Sequence, residues 1–185
     1  MIDEGVIIQN PEWISIGDNV WIDKYCLLIA GLVNLKGVIL KKRINSNFTW
    51  QEGELIIGSG VHIGAFSIIQ AHGGVYMGDY VTASAGVKIY SLSNYPYAEN
   101  DLGIITYANC MVGEDKMISY ILSPIVIQSN AWIALNSIIL GGTVSRNSFI
   151  ASNSVVLNDI PENSYVSGNP AKKIKARFKT RENNE

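Results

Sequence analysis

The chain reads as an all-β solenoid of about five coils. Two observations carry this reading. Ten hexapeptides share one pattern, and the breaks between them fall at a single recurring position. Each hexapeptide opens on an aliphatic lead residue and places a small or β-branched residue four positions later. They come in pairs, led by Ile16 and Ile22, Ile57 and Ile63, Met77 and Ala83, Ile127 and Ile133, and Val144 and Ile150. A third aliphatic follows each pair six residues on: Leu28, Ile69, Ile89, Ile139 and Val156. Internal repetition of this kind decides the architecture before any other signal.

A six-residue period fits neither the 3.6-residue helix nor a plain two-residue strand alternation. It suits a chain that runs a short strand, turns a corner and repeats. Three strands make a triangular coil. Stacked coils pair their backbones at about 4.8 Å, so five coils span roughly 24 Å. Lead aliphatics stack inside, and the residue four positions on must be small. Gly17, Gly58, Gly64 and Gly78 follow their leads where a side chain would crowd the corner. Ten in-phase matches disfavour scattered Ile in a β-sandwich, and each coil should touch only its neighbours.

Composition sets further bounds. A chain of 185 residues, 48% apolar and 16% charged, suits one folded domain. Its net charge of −2 gives no reason to expect a nucleic-acid partner. No apolar run has the length of a membrane span. Met1–Ile2–Asp3–Glu4 lacks a signal-peptide n-region. Two cysteines make no disulfide framework, so a reducing cytoplasm is the expected compartment. Coils with their excursions should occupy 14–158 and a C-terminal extension 159–185.

The irregular steps lie between the third face of one coil and the first face of the next. From Leu28 to Ile57 the step is 29 residues, from Ile69 to Met77 eight, from Ile89 to Ile127 38, and from Ile139 to Val144 five. Long excursions inside compact domains are usually functional, so the active site is expected along this edge. In segment 31–56, Val33, Leu35, Val38 and Leu40 are spaced like strand positions, with Phe48 and Trp50 available to pack it down. Segment 90–124 carries Tyr90, Ser93, Asn94, Tyr95 and Tyr97, a polar and aromatic set suited to binding a sugar. After the last coil, Gly168–Asn169–Pro170–Ala171–Lys172 opens an expected short helix, with Asn169 as N-cap and Pro170 as first helical residue.

The hexapeptides across Ile14–Val156, with Gly168–Asn169–Pro170–Ala171–Lys172 after them, resemble the hexapeptide-repeat acyltransferases. That resemblance implies a left-handed parallel β-helix, an exception to the right-handed crossover rule. It implies acetyl-coenzyme A as cosubstrate, no metal, a sugar or sugar-nucleotide acceptor, and a homotrimer with sites between subunits. Such a transferase would move an acetyl group to a sugar hydroxyl or amine, in surface polysaccharide or glycoconjugate assembly. Carried over by motif, Trp132, Ala134, Gly142 and Ser152 are the groove candidates, and small residues there let a ligand approach the backbone. Lys172 and Lys175 are candidates for the coenzyme phosphates, with a solvated basic tail as the plainer reading.

Acyl transfer needs a general base, oxyanion donors and alignment. Relatives acting on sugars carry a histidine where this chain has Asn94, and Asn is no base. His62 directly precedes a lead Ile, which suggests a surface position. His72 lies three residues after Ile69, at the same corner as Asn94 one coil away. His72 is therefore the expected base, with Asn94 orienting it or the acceptor. Two other readings compete. A catalytically degenerate scaffold is suggested by Asn94 itself. A zinc carbonic anhydrase on this scaffold would need three histidines, and the chain has two.

Overall fold

A computed structural model describes residues 1–41, 49, 51–94 and 118–178. The lead aliphatics stack in three parallel columns, as the spacing requires. On the first face Ile16, Ile57, Met77, Ile127 and Val144 are in register. On the second, Ile22, Ile63, Ala83, Ile133, Ile150 and Val166 align. On the third, Leu28, Ile69, Ile89, Ile139 and Val156 do. All but the exposed Ile16, at the N-terminal end, are buried. This column of branched aliphatics is the core. Burying each one contributes about 1.5–3 kcal/mol.

The stack is longer than the triplets indicate. Ile2 bridges to Ile22, and strand Ile7–Gln9 pairs with Leu27–Ile29, putting Ile8 beside Leu28. At the other end Ile160 bridges to Val144, and Val166 pairs with Ile150. Both terminal coils keep the six-residue step but run on only two regular faces, so neither completes a triplet.

Two of the three corners share one backbone device. The residue three positions after each lead adopts left-handed φ: Gly5, Asn19, Tyr25, Gly60, Phe66, Tyr80, Gly86, Asn130, Asn136, Asn147, Asn153 and Asn163. Asn and Gly tolerate this conformation. Three positions nonetheless hold aromatic residues, at a cost of roughly 1–2 kcal/mol each. The residue after the lead meets the next coil: a Cβ on Gly64 would lie 2.5 Å from the Ala85 nitrogen, and one on Gly58 2.7 Å from the Gly78 carbonyl carbon. The small residues four after each lead are buried, and several bond to the next coil. Cys26 Sγ donates to Gly64 O (3.2 Å), Ser67 Oγ to Ser84 O (3.3 Å), Ser137 Oγ to Ala151 O (2.9 Å) and Ser148 Oγ to Pro161 O (2.9 Å).

The third corner carries the excursions, and these form a sheet of their own. Strand Val38–Lys41 runs parallel to Ser119–Leu122, which runs antiparallel to Leu92–Asn94. The strand expected around Val38 and Leu40 is present. Phe48, Trp50 and the middle of segment 90–124 lie outside the described residues. Among the described residues no helix is long and apolar enough to cross a membrane.

The expected C-terminal helix is not formed. Strand Ser164–Gly168 completes the second face, and Ala171–Ala176 folds back on it as an antiparallel hairpin through Asn169–Pro170. The cap signals were locally sound, but a helix of this length is marginal in isolation. The open edge of Ser164–Gly168 instead takes the backbone groups of 171–176. Exposed Lys172, Lys173 and Lys175 then leave a charged edge that resists further pairing.

Ile133→Ala should lower unfolding free energy by about 2–5 kcal/mol in urea melts. Cys26→Ser should cost far less, because Ser67, Ser137 and Ser154 fill the matching slot. Burial raises the Cys26 pKa above its ordinary 9.0. A raised folded pKa gives stability that is full below the unfolded value and lost as pH rises through the folded one. The wild type should therefore weaken more than Cys26→Ser above pH 9.

Candidate functional site

The third corner gathers a cavity around His72. Excursions from the Leu28 and Ile89 coils flank the Ile69 coil, whose own corner carries His72. Their sheet roofs a cavity of about 70 Å³. Leu32, Val33, Leu35, Ile39, Leu92 and Leu122 supply an aliphatic lining, and His72, Lys41 and Glu52 supply the polar groups. Lys41 Nζ lies 2.6 Å from Glu52 Oε1.

A closed ring of hydrogen bonds fixes His72. Its carbonyl accepts from Gly53 N–H (3.0 Å), the Gly53 carbonyl accepts from Gly31 N–H (2.7 Å), and the Gly31 carbonyl sits 2.8 Å from His72 Nδ1. A carbonyl can only accept, so Nδ1 carries the proton of the neutral ring. Nε2 is then left with its lone pair. Gly31 has φ +91°, and a Cβ there would meet Asn10 Nδ2 at 2.8 Å. The glycine is thus required for the carbonyl that sets the tautomer.

Asn94 ends strand Leu92–Asn94, opposite Tyr120. It is exposed, two residues beyond Leu92, and is not among the residues lining the cavity. Ser93 lies between them on the strand's other side. Tyr90 is half-buried on the third face beside Gln70. Tyr95 and Tyr97 lie outside the described residues. Two residues not expected from the sequence hold this strand in place. Gln70 Oε1 accepts from Leu92 N–H (3.0 Å), and Ser91 Oγ accepts from Gly73 N–H (2.8 Å) while donating to Gln70 O (2.8 Å).

The coenzyme candidates divide among four places. Trp132 and Lys175 both belong to the second face. There the outward ladder runs through Trp132 and Phe149 (5.4 Å, edge-on), Phe149 and Tyr165 (5.1 Å, stacked), and Lys175 Nζ over Tyr165 (5.3 Å). Lys172 lies by the hairpin turn, opposite Ser167. Ala134 and Ser152 sit at the corner between second and third faces. Gly142 sits at the third corner with φ +80°, and a Cβ there would lie 2.8 Å from the Asn158 carbonyl carbon. Close stacking of coils is sufficient reason for that glycine.

A second, larger cleft of about 360 Å³ opens at the corner between first and second faces. Tyr80, Trp132, Arg177 and Phe178 are prominent in its wall, with Thr82 and Asn147. Arg177 Nη1 donates to Asn130 O (2.9 Å) and Ser148 O (3.1 Å), and its guanidinium lies 4.9 Å from the Phe178 ring centre. Burial lowers the Arg177 pKa from its ordinary value. His62 is far from this arrangement in role: it pairs with Asp23 (3.1 Å) and packs on Trp21. Among the described residues no three His, Cys, Asp or Glu side chains gather as a metal site.

No family model matches the chain. It is 29% identical over 170 residues to the dTDP-4-amino-4,6-dideoxy-D-glucose acyltransferase of Escherichia coli, covering 90% of this chain and 73% of that one. It is 36% identical over 110 residues to a candidate acetyltransferase of Saccharomyces cerevisiae, covering 55% of each. The crystal structure of the Bacillus cereus N-acyltransferase AntD (D94N mutant, with dTDP and coenzyme A) superposes with a TM-score of 0.72 at 23% identity, over 96% of this chain and 80% of that one. The chain's relatives and structural neighbours are hexapeptide-repeat-type acyltransferases. Its fold is accordingly the left-handed parallel β-helix that the family resemblance implied. The chain spans about half the length of the yeast relative.

Nitrogen-15 NMR of the His72 imidazole should report the Nδ1–H tautomer. Gly31→Ala should erase that preference and lower the melting temperature.

Proposed function

We propose that this protein is a coenzyme A-dependent acyltransferase that moves an acetyl group onto a sugar, and that its acceptor is a nucleotide-linked amino sugar. The observation that carries the reading is His72. Its Nδ1 is committed to Gly31 O, so Nε2 is available as a base beside a half-apolar cavity on the excursion edge. The named activity of the Escherichia coli relative and the dTDP and coenzyme A bound to AntD support the class of both substrates.

The chemistry follows from that geometry. The acceptor amine attacks the thioester carbonyl carbon, forming the C–N bond. Nε2 of His72 takes the proton the amine sheds. The C–S bond then breaks, and the coenzyme sulfur leaves with a proton returned from the imidazolium. A hydroxyl acceptor would follow the same course and depend more heavily on the base. The aliphatic lining lowers the local polarity beside Nε2, which strengthens charge interactions in the cavity. Asn94 orients the acceptor from the end of its strand, and Tyr90, Ser93, Tyr95 and Tyr97 belong to the acceptor side. Trp132, Ala134, Gly142, Ser152, Lys172 and Lys175 belong to the coenzyme side, distributed over more than one copy.

That distribution fits a cytoplasmic homotrimer in surface polysaccharide or glycoconjugate assembly. Sedimentation equilibrium reads the copy number directly, and a monomer would remove the shared-site element.

His72→Ala should lower kcat with acetyl-coenzyme A and a dTDP-linked amino sugar by about 100-fold or more. KM should change less. Unchanged kcat in a folded variant would exclude His72 as the base.

A further inference from the structure

We propose that the cleft between the first and second faces is a nucleotide subsite, taking the base and phosphate of a nucleoside phosphate. It names a ligand end for the transferase proposed above and rests on that reading only for the source of the nucleotide.

The residue at position 80 points to a bound partner. Twelve corners need left-handed φ, and Asn or Gly fills most of them. Tyr80 holds φ 56° with a bulky ring that is 68% exposed. A costly conformation on a solvent-facing aromatic calls for a partner. Tyr25 and Phe66 have one, since they stack on each other at 5.5 Å. The Tyr80 ring rests over Gly60, where a Cβ would meet it at 2.7 Å, much as the Tyr25 ring rests over Gly5, and its open side lines the cleft.

The outward ladder of the second face has a gap at the same place. Trp21, His62, Thr82, Trp132, Phe149 and Tyr165 occupy matching positions in successive coils. Thr82 is the one small residue in that series, and the cleft opens over it. Trp132 (44% exposed) and Phe178 (52% exposed) border the gap with Tyr80. Flat aromatic walls stack on a nucleobase of any sequence.

Arg177 supplies the charge at this cleft. Its Nη1 is anchored on Asn130 O and Ser148 O, which fixes the guanidinium at the rim. Arginine carries five N–H donors, so the remaining ones can meet a phosphate. Asn147 adds an amide able to read a base edge. The volume falls in the 300–1,000 Å³ range typical of ligand pockets.

Calorimetry on the full chain would use 3′,5′-ADP, the nucleotide end of the coenzyme, and dTDP, the nucleotide end of the sugar donor. The transferase proposed above binds both nucleotide ends, and the one whose affinity falls in Tyr80→Asn assigns the source to the cleft. Tyr80→Asn places at this corner the residue found at six equivalent ones, so it should fold with an equal or higher melting temperature. It should weaken that nucleotide at least tenfold. Tyr80→Phe keeps a ring, as Phe66 does, and should retain binding. Equal binding by wild type and Tyr80→Asn, or no binding of either nucleotide to the wild type, would overturn the subsite. If Tyr80→Asn binds equally while the wild type turns over, the subsite fails and the transferase stands. If the wild type shows neither coenzyme binding nor turnover, the transferase fails, and the two nucleotides still judge the cleft on their own.

Discussion

The left-handed residue three positions after each lead aliphatic is the constraint on which the rest depends. It turns the chain through a corner in a fixed number of residues. Because the corner length is constant, each lead arrives above its predecessor, and the aliphatic columns stay in register. Parallel pairing then satisfies backbone groups coil to coil. A corner of variable length at these positions would shift a side-chain column from core to solvent.

Only the third corner admits steps of varying length, and the candidate base of the proposed transferase lies there. Its steps vary in length, although Gly31 and Gly142, three residues after Leu28 and Ile139, keep left-handed φ. Insertions therefore enter without disturbing the two regular corners. The excursions from two coils meet across a third, and the glycines of that meeting point close a hydrogen-bond ring on His72. A rigid stack thus supplies the fixed geometry, and the irregular edge carries the candidate base. The same regularity makes Tyr80 informative, because it departs from a rule kept at neighbouring corners.

The columns and the breaking corner were legible in the sequence, since burial writes itself directly into aliphatic spacing. Strand Val38–Lys41 was legible for the same reason. The terminal coils at Ile2–Ile8 and Ile160–Val166 were not, because each offers two leads without a third. The C-terminal hairpin was misread: Asn169 and Pro170 give honest helix-start signals, and only the open edge beside them overrides those signals. His72 could be singled out by type and position. Its tautomer could not, because the Gly31 carbonyl that sets it is 41 residues away. Tyr80 and Arg177 were likewise invisible as a pair, since Arg177 reaches the neighbouring corner across 47 residues of chain to Asn130.

The central claim is that the irregular corner presents His72 Nε2 to the acceptor. A crystal structure with coenzyme A and a dTDP-linked amino sugar tests it most directly. The account predicts the sugar amine within about 3.2 Å of Nε2, the reach of a hydrogen bond. An amine bound at another corner, with His72 facing no substrate atom, would contradict it.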